Sequence, residues 1–108
     1  MELHTKSRDG LYEATAEFVD GHITVKQGSK INRRNSQGFT PSQHLKELRK
    51  NEALFSGDIL QKDIKFDSLS TAATFVTGRI ANGMIVWKTK DGRYVRYTLK
   101  QGGEKDGK

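Results

Sequence analysis

Phe66-Asp67-Ser68-Leu69-Ser70-Thr71-Ala72-Ala73-Thr74-Phe75-Val76-Thr77-Gly78-Arg79-Ile80-Ala81-Asn82-Gly83-Met84-Ile85-Val86-Trp87 reads as a capped helix, a glycine stop, a turn and a strand. Ser68 can cap the helix, because its hydroxyl accepts one of the first-turn amides that no helical carbonyl reaches. Leu69, Ala72, Ala73 and Val76 follow at the i, i+3, i+4, i+7 spacing of one buried face. Gly78 ends the run, since glycine reaches the left-handed conformation that closes a last turn without a Cβ clash. Asn82-Gly83 is a second turn signal, and Met84 to Lys88, rich in β-formers, is expected as a strand.

Two Asp-Gly dipeptides frame the rest. Leu11 to Val19 and His22 to Gln27 flank Asp20-Gly21, a two-residue hairpin loop whose residues tolerate positive φ. That loop sets Phe18 opposite Ile23 and Ala16 opposite Val25 on an apolar face, with Glu17 opposite Thr24 and Thr15 opposite Lys26 on a wet one. Asp91-Gly92 joins Met84 to Lys88 with Arg93 to Leu99 in the same way. A two-residue loop there pairs Val86 with Tyr97, Met84 with Leu99, and Trp87 with Arg96, leaving Tyr94 diagonal to Trp87. Gly28 to Thr40 has no period and is expected as a loop, with Gly28-Ser29-Lys30 a strand-end turn rather than a phosphate loop. Pro41 is expected to open a helix running to about Asn51 with Thr40 as its cap, Leu45 and Leu48 inward and Lys46, Arg49 and Lys50 outward. Ser56-Gly57-Asp58 breaks the chain before an extended piece, Ile59 to Phe66. The expected fold is therefore α+β, a small antiparallel sheet from two β-hairpins covered by two short helices.

A chain of 108 residues fits one domain with a modest core. Met1 to Gly10 lacks apolar periodicity and Gln101 to Lys108 lacks hydrophobes, so residues 1–10 and 100–108 are expected as disordered tails around a single domain over 11–99. With no cysteine, a disulfide framework and a thiolate metal site are both excluded. No apolar run approaches membrane-spanning length and no signal-peptide pattern begins the chain, which makes a cytoplasmic protein the expectation.

The net charge of +6 is unevenly spread. Lys30 to Lys50 carries +5 (Lys30, Arg33, Arg34, Lys46, Arg49 and Lys50 against Glu47), Arg79 to Lys108 carries another +5, and the remainder is acidic. Basic charge gathered into two segments points to an anionic partner, with Arg33, Arg34, Lys46, Arg49 and Lys50 as one set of contacts. The aromatic and cationic side of the second hairpin, Trp87 with Tyr94 and Arg96, offers a surface on which a nucleobase can stack. For Trp87 the plainer reading is burial as core beneath the second helix, and the stacking role is the alternative to it.

Catalysis is not expected. His4, His22 and His44 sit apart with no metal-ligand spacing, the carboxylates form no acid and base pair, and no nucleophile elbow or zinc-protease helix is present. No metal and no cofactor are implied.

The serine-capped small-residue helix, Gly78-Arg79, Asn82-Gly83 and Trp87-Lys88 resemble a bacterial domain of unknown function found C-terminal to GIY-YIG nuclease domains. They are similar as well to the restriction-enzyme adenine-methylase-associated (RAMA) domain. The likeness extends to Val25 through Lys30 and to Leu45 through Leu60, with one departure: the family's usual proline between the two serines is Leu69 here. What the resemblance implies is company with proteins that handle DNA, and Arg79, Asn82, Trp87 and Lys88 as contact positions. The resulting expectation is a monomeric, non-catalytic nucleic-acid-binding accessory module, DNA being favoured, that accompanies a nuclease or methylase domain. A protein-docking domain with no nucleic-acid role is the alternative.

Overall fold

Asp20 and Gly21 both take positive φ, 53° and 82°, and so reverse the chain tightly between β2 (Glu13–Val19) and β3 (His22–Val25). The register is the one that the alternation dictates, with Phe18 against Ile23, Glu17 against Thr24 and Ala16 against Val25. Lys26 donates its amide to the Thr15 carbonyl at 2.9 Å just beyond. In this computed structural model, which describes residues 1–98, the hairpin forms the centre of a four-stranded antiparallel sheet in the order β1 (Glu2–Lys6), β2, β3, β6 (Ile64–Phe66).

Strand β1 (Glu2–Lys6) corrects the expectation of a disordered tail over Met1 to Gly10. It pairs along β2, Leu3 against Ala16 and Thr5 against Ala14, and both Leu3 and Thr5 are buried. A threonine in one of only two inward positions hides the alternation, and the strand is defined by its partner more than by its own apolar content. The tail expected over residues 100–108 lies outside the described residues.

The expected extended piece from Ile59 to Phe66 divides in two. Phe55–Ser56 (β4) and Ile59–Leu60 (β5) form a separate two-stranded hairpin, while Ile64–Phe66 (β6) joins the main sheet beside β3. Helix α1 (Gln43–Lys50) starts later than Pro41, because Ser42 is its cap in place of Thr40, accepting from the Leu45 amide at 3.3 Å. Helix α2 (Leu69–Thr77) has the expected ends: the Ser68 hydroxyl accepts from the Thr71 amide at 3.1 Å, and Gly78 closes it at φ 81°. Nearly every residue of α2 is buried, so it is the central helix and not a half-exposed cover. Its Phe75 packs against Phe55 and Phe66, with ring centroids 6.2 and 5.1 Å away, and this joins the small hairpin to the sheet through the core. Ser68→Ala removes the cap and is expected to cost about 1 kcal/mol, read as a lower thermal midpoint with the fold unchanged. An unchanged midpoint would mean that Ser68 is not holding the helix start.

The second expected hairpin is corrected. Residues 83–86 form a turn rather than a strand, stitched by Ile85 to the Asn82 carbonyl at 3.1 Å and Trp87 to the Gly83 carbonyl at 3.2 Å. The cause is packing at Gly83, where a Cβ would overlap the backbone of Leu69. Only Lys88 is extended, bridging His4 on the β1 edge and Tyr94 on its other side. Asp91-Gly92 does turn the chain, within a wider loop closed by Thr89 and Arg93, after which residues 95–98 are helical. Val95 donates to the Trp87 carbonyl and Arg96 to the Met84 carbonyl, replacing the expected Trp87–Arg96 and Val86–Tyr97 pairs. The expected partner of Met84, Leu99, lies outside the described residues.

Candidate nucleic-acid interface

Four separate stretches of chain meet beside the C-terminal end of α2. The end of β1 and the turn after it bring Lys6, Ser7, Arg8 and Asp9, with Leu11 and Tyr12 following. The loop from Asn32 to Ser36 brings Arg34. Thr77 and Arg79 come from the exit of α2, and Lys88 with Tyr94 from the bridged segment beside β1. Together they line an open cleft of about 630 Å³.

Each wall is held locally. Ser7 donates its amide to the Tyr12 carbonyl at 3.0 Å and its hydroxyl accepts from the Tyr12 amide at 3.1 Å, closing a turn that leaves Arg8 exposed. The Asn32 loop is laid over the end of α2: Asn32 donates its amide to the Val76 carbonyl and its side-chain amide to the Thr77 carbonyl, both at 2.9 Å, and Ser36 donates to the Gly78 carbonyl. Gly78 is needed twice there, for its positive φ and because a Cβ would overlap the Arg34 carbonyl oxygen. Lys88 holds its ammonium 4.9 Å from the centre of the Tyr94 ring.

Charge in the cleft is one-sided. Lys6, Arg8, Arg34, Arg79 and Lys88 are all exposed, and none lies within ion-pair distance of a carboxylate among the described residues. Asp9 opposes them alone. Hydrogen bonds from the Ser7 side chain and the Leu11 amide hold its carboxyl below the usual range, so it remains ionised at neutral pH. Among the described residues no three His, Asp or Glu side chains come together as a metal site.

Of the residues singled out from sequence, the cleft unites Arg34, Arg79, Lys88 and Tyr94. Trp87 is corrected to core: its ring is fully buried and its indole N–H donates to the Leu69 carbonyl at 3.1 Å. Arg49 is corrected as well, being 4% exposed and donating to the carbonyls of Phe75, Asn32 and Arg34 and to the Asn35 side chain. Arg33 is a structural cation, 4.2 Å above the Phe55 ring and paired with Glu52 at 2.9 Å. Asn82 accepts from the Met84 amide at 2.9 Å and serves its turn. Lys46 and Lys50 are exposed on α1, beside a separate crevice with Phe39 and Pro41. Arg96 is exposed but does not line the cleft. Lys6 and Arg8 were missed with the N-terminal segment, where the Leu3 and Thr5 alternation beside two basic residues was the available signal; Tyr12 was read only as part of the first hairpin.

Residues 3–99 match a domain of unknown function, DUF4357. The chain belongs to the DUF4357 family. Searches of curated proteins and of solved structures return no match. The DUF4357 match takes in β1 from Leu3 onward and every residue lining the cleft, so the N-terminal wall belongs to the domain and is no appendage.

Proposed function

We propose that this DUF4357 domain is a non-catalytic nucleic-acid-binding accessory module that contacts its partner through the basic cleft. One observation carries the reading: five cations from separate parts of the chain converge on one concavity that also holds an exposed tyrosine ring. Folding them together costs mutual repulsion, which a solvated surface could avoid by dispersal and which an anion relieves. DNA is the favoured partner and a nuclease or methylase domain the favoured neighbour, both by the resemblance to GIY-YIG-associated and RAMA domains; a cytoplasmic setting suits such company. No helix among the described residues is long and apolar enough to cross a membrane.

With about four phosphates neutralised, log K should fall against log salt with a slope of about −3 to −4. Arg34→Ala and Arg79→Ala should each weaken binding and make that slope shallower by about one unit, whereas Lys46→Ala should change neither. Anisotropy titrations at several salt concentrations measure this. Absence of binding at low salt, or cleft variants that bind like the parent, would overturn the reading and leave the docking alternative.

A further inference from the structure

We infer that the cleft takes an unpaired nucleotide, from single-stranded nucleic acid or a frayed end, in preference to duplex; the inference rests on the nucleic-acid reading above. Shape is the first argument. The open cleft, about 630 Å³, is a concavity with room for a nucleotide-sized ligand. Duplex phosphates lie on a convex cylinder, and duplex bases are reached by a helix or ribbon projecting into a groove. None of the five cations lies on a helix, and the basic face of α1 loses Arg49 to the interior. Lys6 and Arg8 sit at the end of the β1–β2 hairpin, but Arg34, Arg79 and Lys88 come from other segments, so the five form no single projecting ribbon. The cations are set around a hollow.

The second argument is what stands between the charges. Leu11 and Tyr94 are 41% and 40% exposed, and both line the cleft, as does Tyr12. Phosphate contact alone has no use for ring surface, whereas an unpaired base stacks on it; the Lys88 ammonium lies over one face of the Tyr94 ring and supplies a phosphate-seeking charge there. The negative end of α2 is offset by the Arg49 cation, and the carbonyls of Phe75, Val76, Thr77 and Gly78 there all accept hydrogen bonds from Arg49, Asn32 and Ser36.

The third argument concerns base choice. Asn32 spends its amide nitrogen on the Thr77 carbonyl and its oxygen on the Arg34 amide, and Asn35 gives its oxygen to Arg49. The oxygens of both side-chain amides are thus engaged in the fold, which limits what they can accept from a base edge. Stacking remains, and every base has a face to stack.

The test uses the full 108-residue chain and fluorescence anisotropy with three probes: a short single strand, the blunt duplex of the same sequence, and that duplex with a single-stranded overhang. The single strand and the overhang should bind about tenfold tighter than the blunt duplex at equal salt, with little dependence on sequence. Tyr94→Ala should weaken single-strand binding roughly five- to hundredfold and leave the blunt duplex unaffected, while Tyr94→Phe retains the stacking. A blunt duplex bound as tightly as the single strand would overturn the inference and leave the nucleic-acid module standing. No binding by any probe at low salt would remove both. The probe comparison needs no variant, so a Tyr94 substitution that fails to fold would not obstruct it.

Discussion

Trp87→Ala will cost about 3–5 kcal/mol, a large part of the 5–15 kcal/mol that holds a domain of this size together. The ring is the largest fully buried side chain in the molecule's described part, sharing one core with Leu3, Phe75, Val76 and Val95. Truncation leaves a void that the neighbours cannot close, because the Gly83 turn lies against Leu69 and fixes where the Trp87 backbone must sit. Trp87→Phe separates the two contributions: it keeps most of the apolar area and deletes the bond to the Leu69 carbonyl, a loss nearer 1 kcal/mol for the hydrogen bond plus the missing ring volume. Chemical denaturation measures both. Emission from Trp87, the single tryptophan, should be blue-shifted, protected from quencher and indifferent to added nucleic acid. A red-shifted emission that responds to nucleic acid would return the residue to the surface.

The same dipeptide, Asp-Gly, was readable at one end of the chain and misleading at the other. At Asp20-Gly21 both flanking segments alternate, so turn geometry and burial agree and the register follows residue by residue. At Asp91-Gly92 the alternation of Met84 and Val86 is equally consistent with a turn, and the deciding contact, Gly83 against Leu69, joins residues from opposite ends of α2's exit and entry. Local pattern carries no information about that approach. The functional site divides similarly. Arg33, Arg34 and Arg49 are alike as charges in sequence, yet Phe55 and Glu52 claim the first, the end of α2 claims the third, and only Arg34 reaches the cleft. Lys6 and Arg8 became visible only once β1 found its partner strand.

Arg49→Met is expected to cost about 3 kcal/mol and to open the cleft from behind, although Arg49 does not line it. The guanidinium sits at the C-terminal end of α2, where the helix dipole favours a cation and where α2 has no basic residue of its own in the last turn. It donates to Phe75, Asn32 and Arg34 carbonyls and to the Asn35 side chain, and its charge lies 5.4 Å from the Phe39 ring. Burial, with the nearby charge of Arg33 second, pulls its pKa down to about 10, which still leaves it protonated at neutral pH. Its Nε has no hydrogen-bond partner among the described residues, so the group is held by its two terminal nitrogens alone. Methionine keeps the length of the stem and fills much of the space, but strands the Phe75 carbonyl and releases the Arg34 carbonyl. Recovery of water at the less buried acceptors keeps the loss below the sum of four charged hydrogen bonds. The loop should then loosen first, so amide exchange at Asn32 and Ser36, whose N–H groups bond to Val76 and Gly78, should accelerate more than exchange in β2 and β3. Nucleic-acid affinity should fall with it, at a temperature where the domain is still folded, because Arg34 loses its anchorage. Arg49→Lys should fall between, since an ammonium restores the charge but cannot fork across the same acceptors. A variant that melts and exchanges like the parent would show that the loop is held by its backbone bonds to α2, and that Arg49 is only tolerated at the helix end.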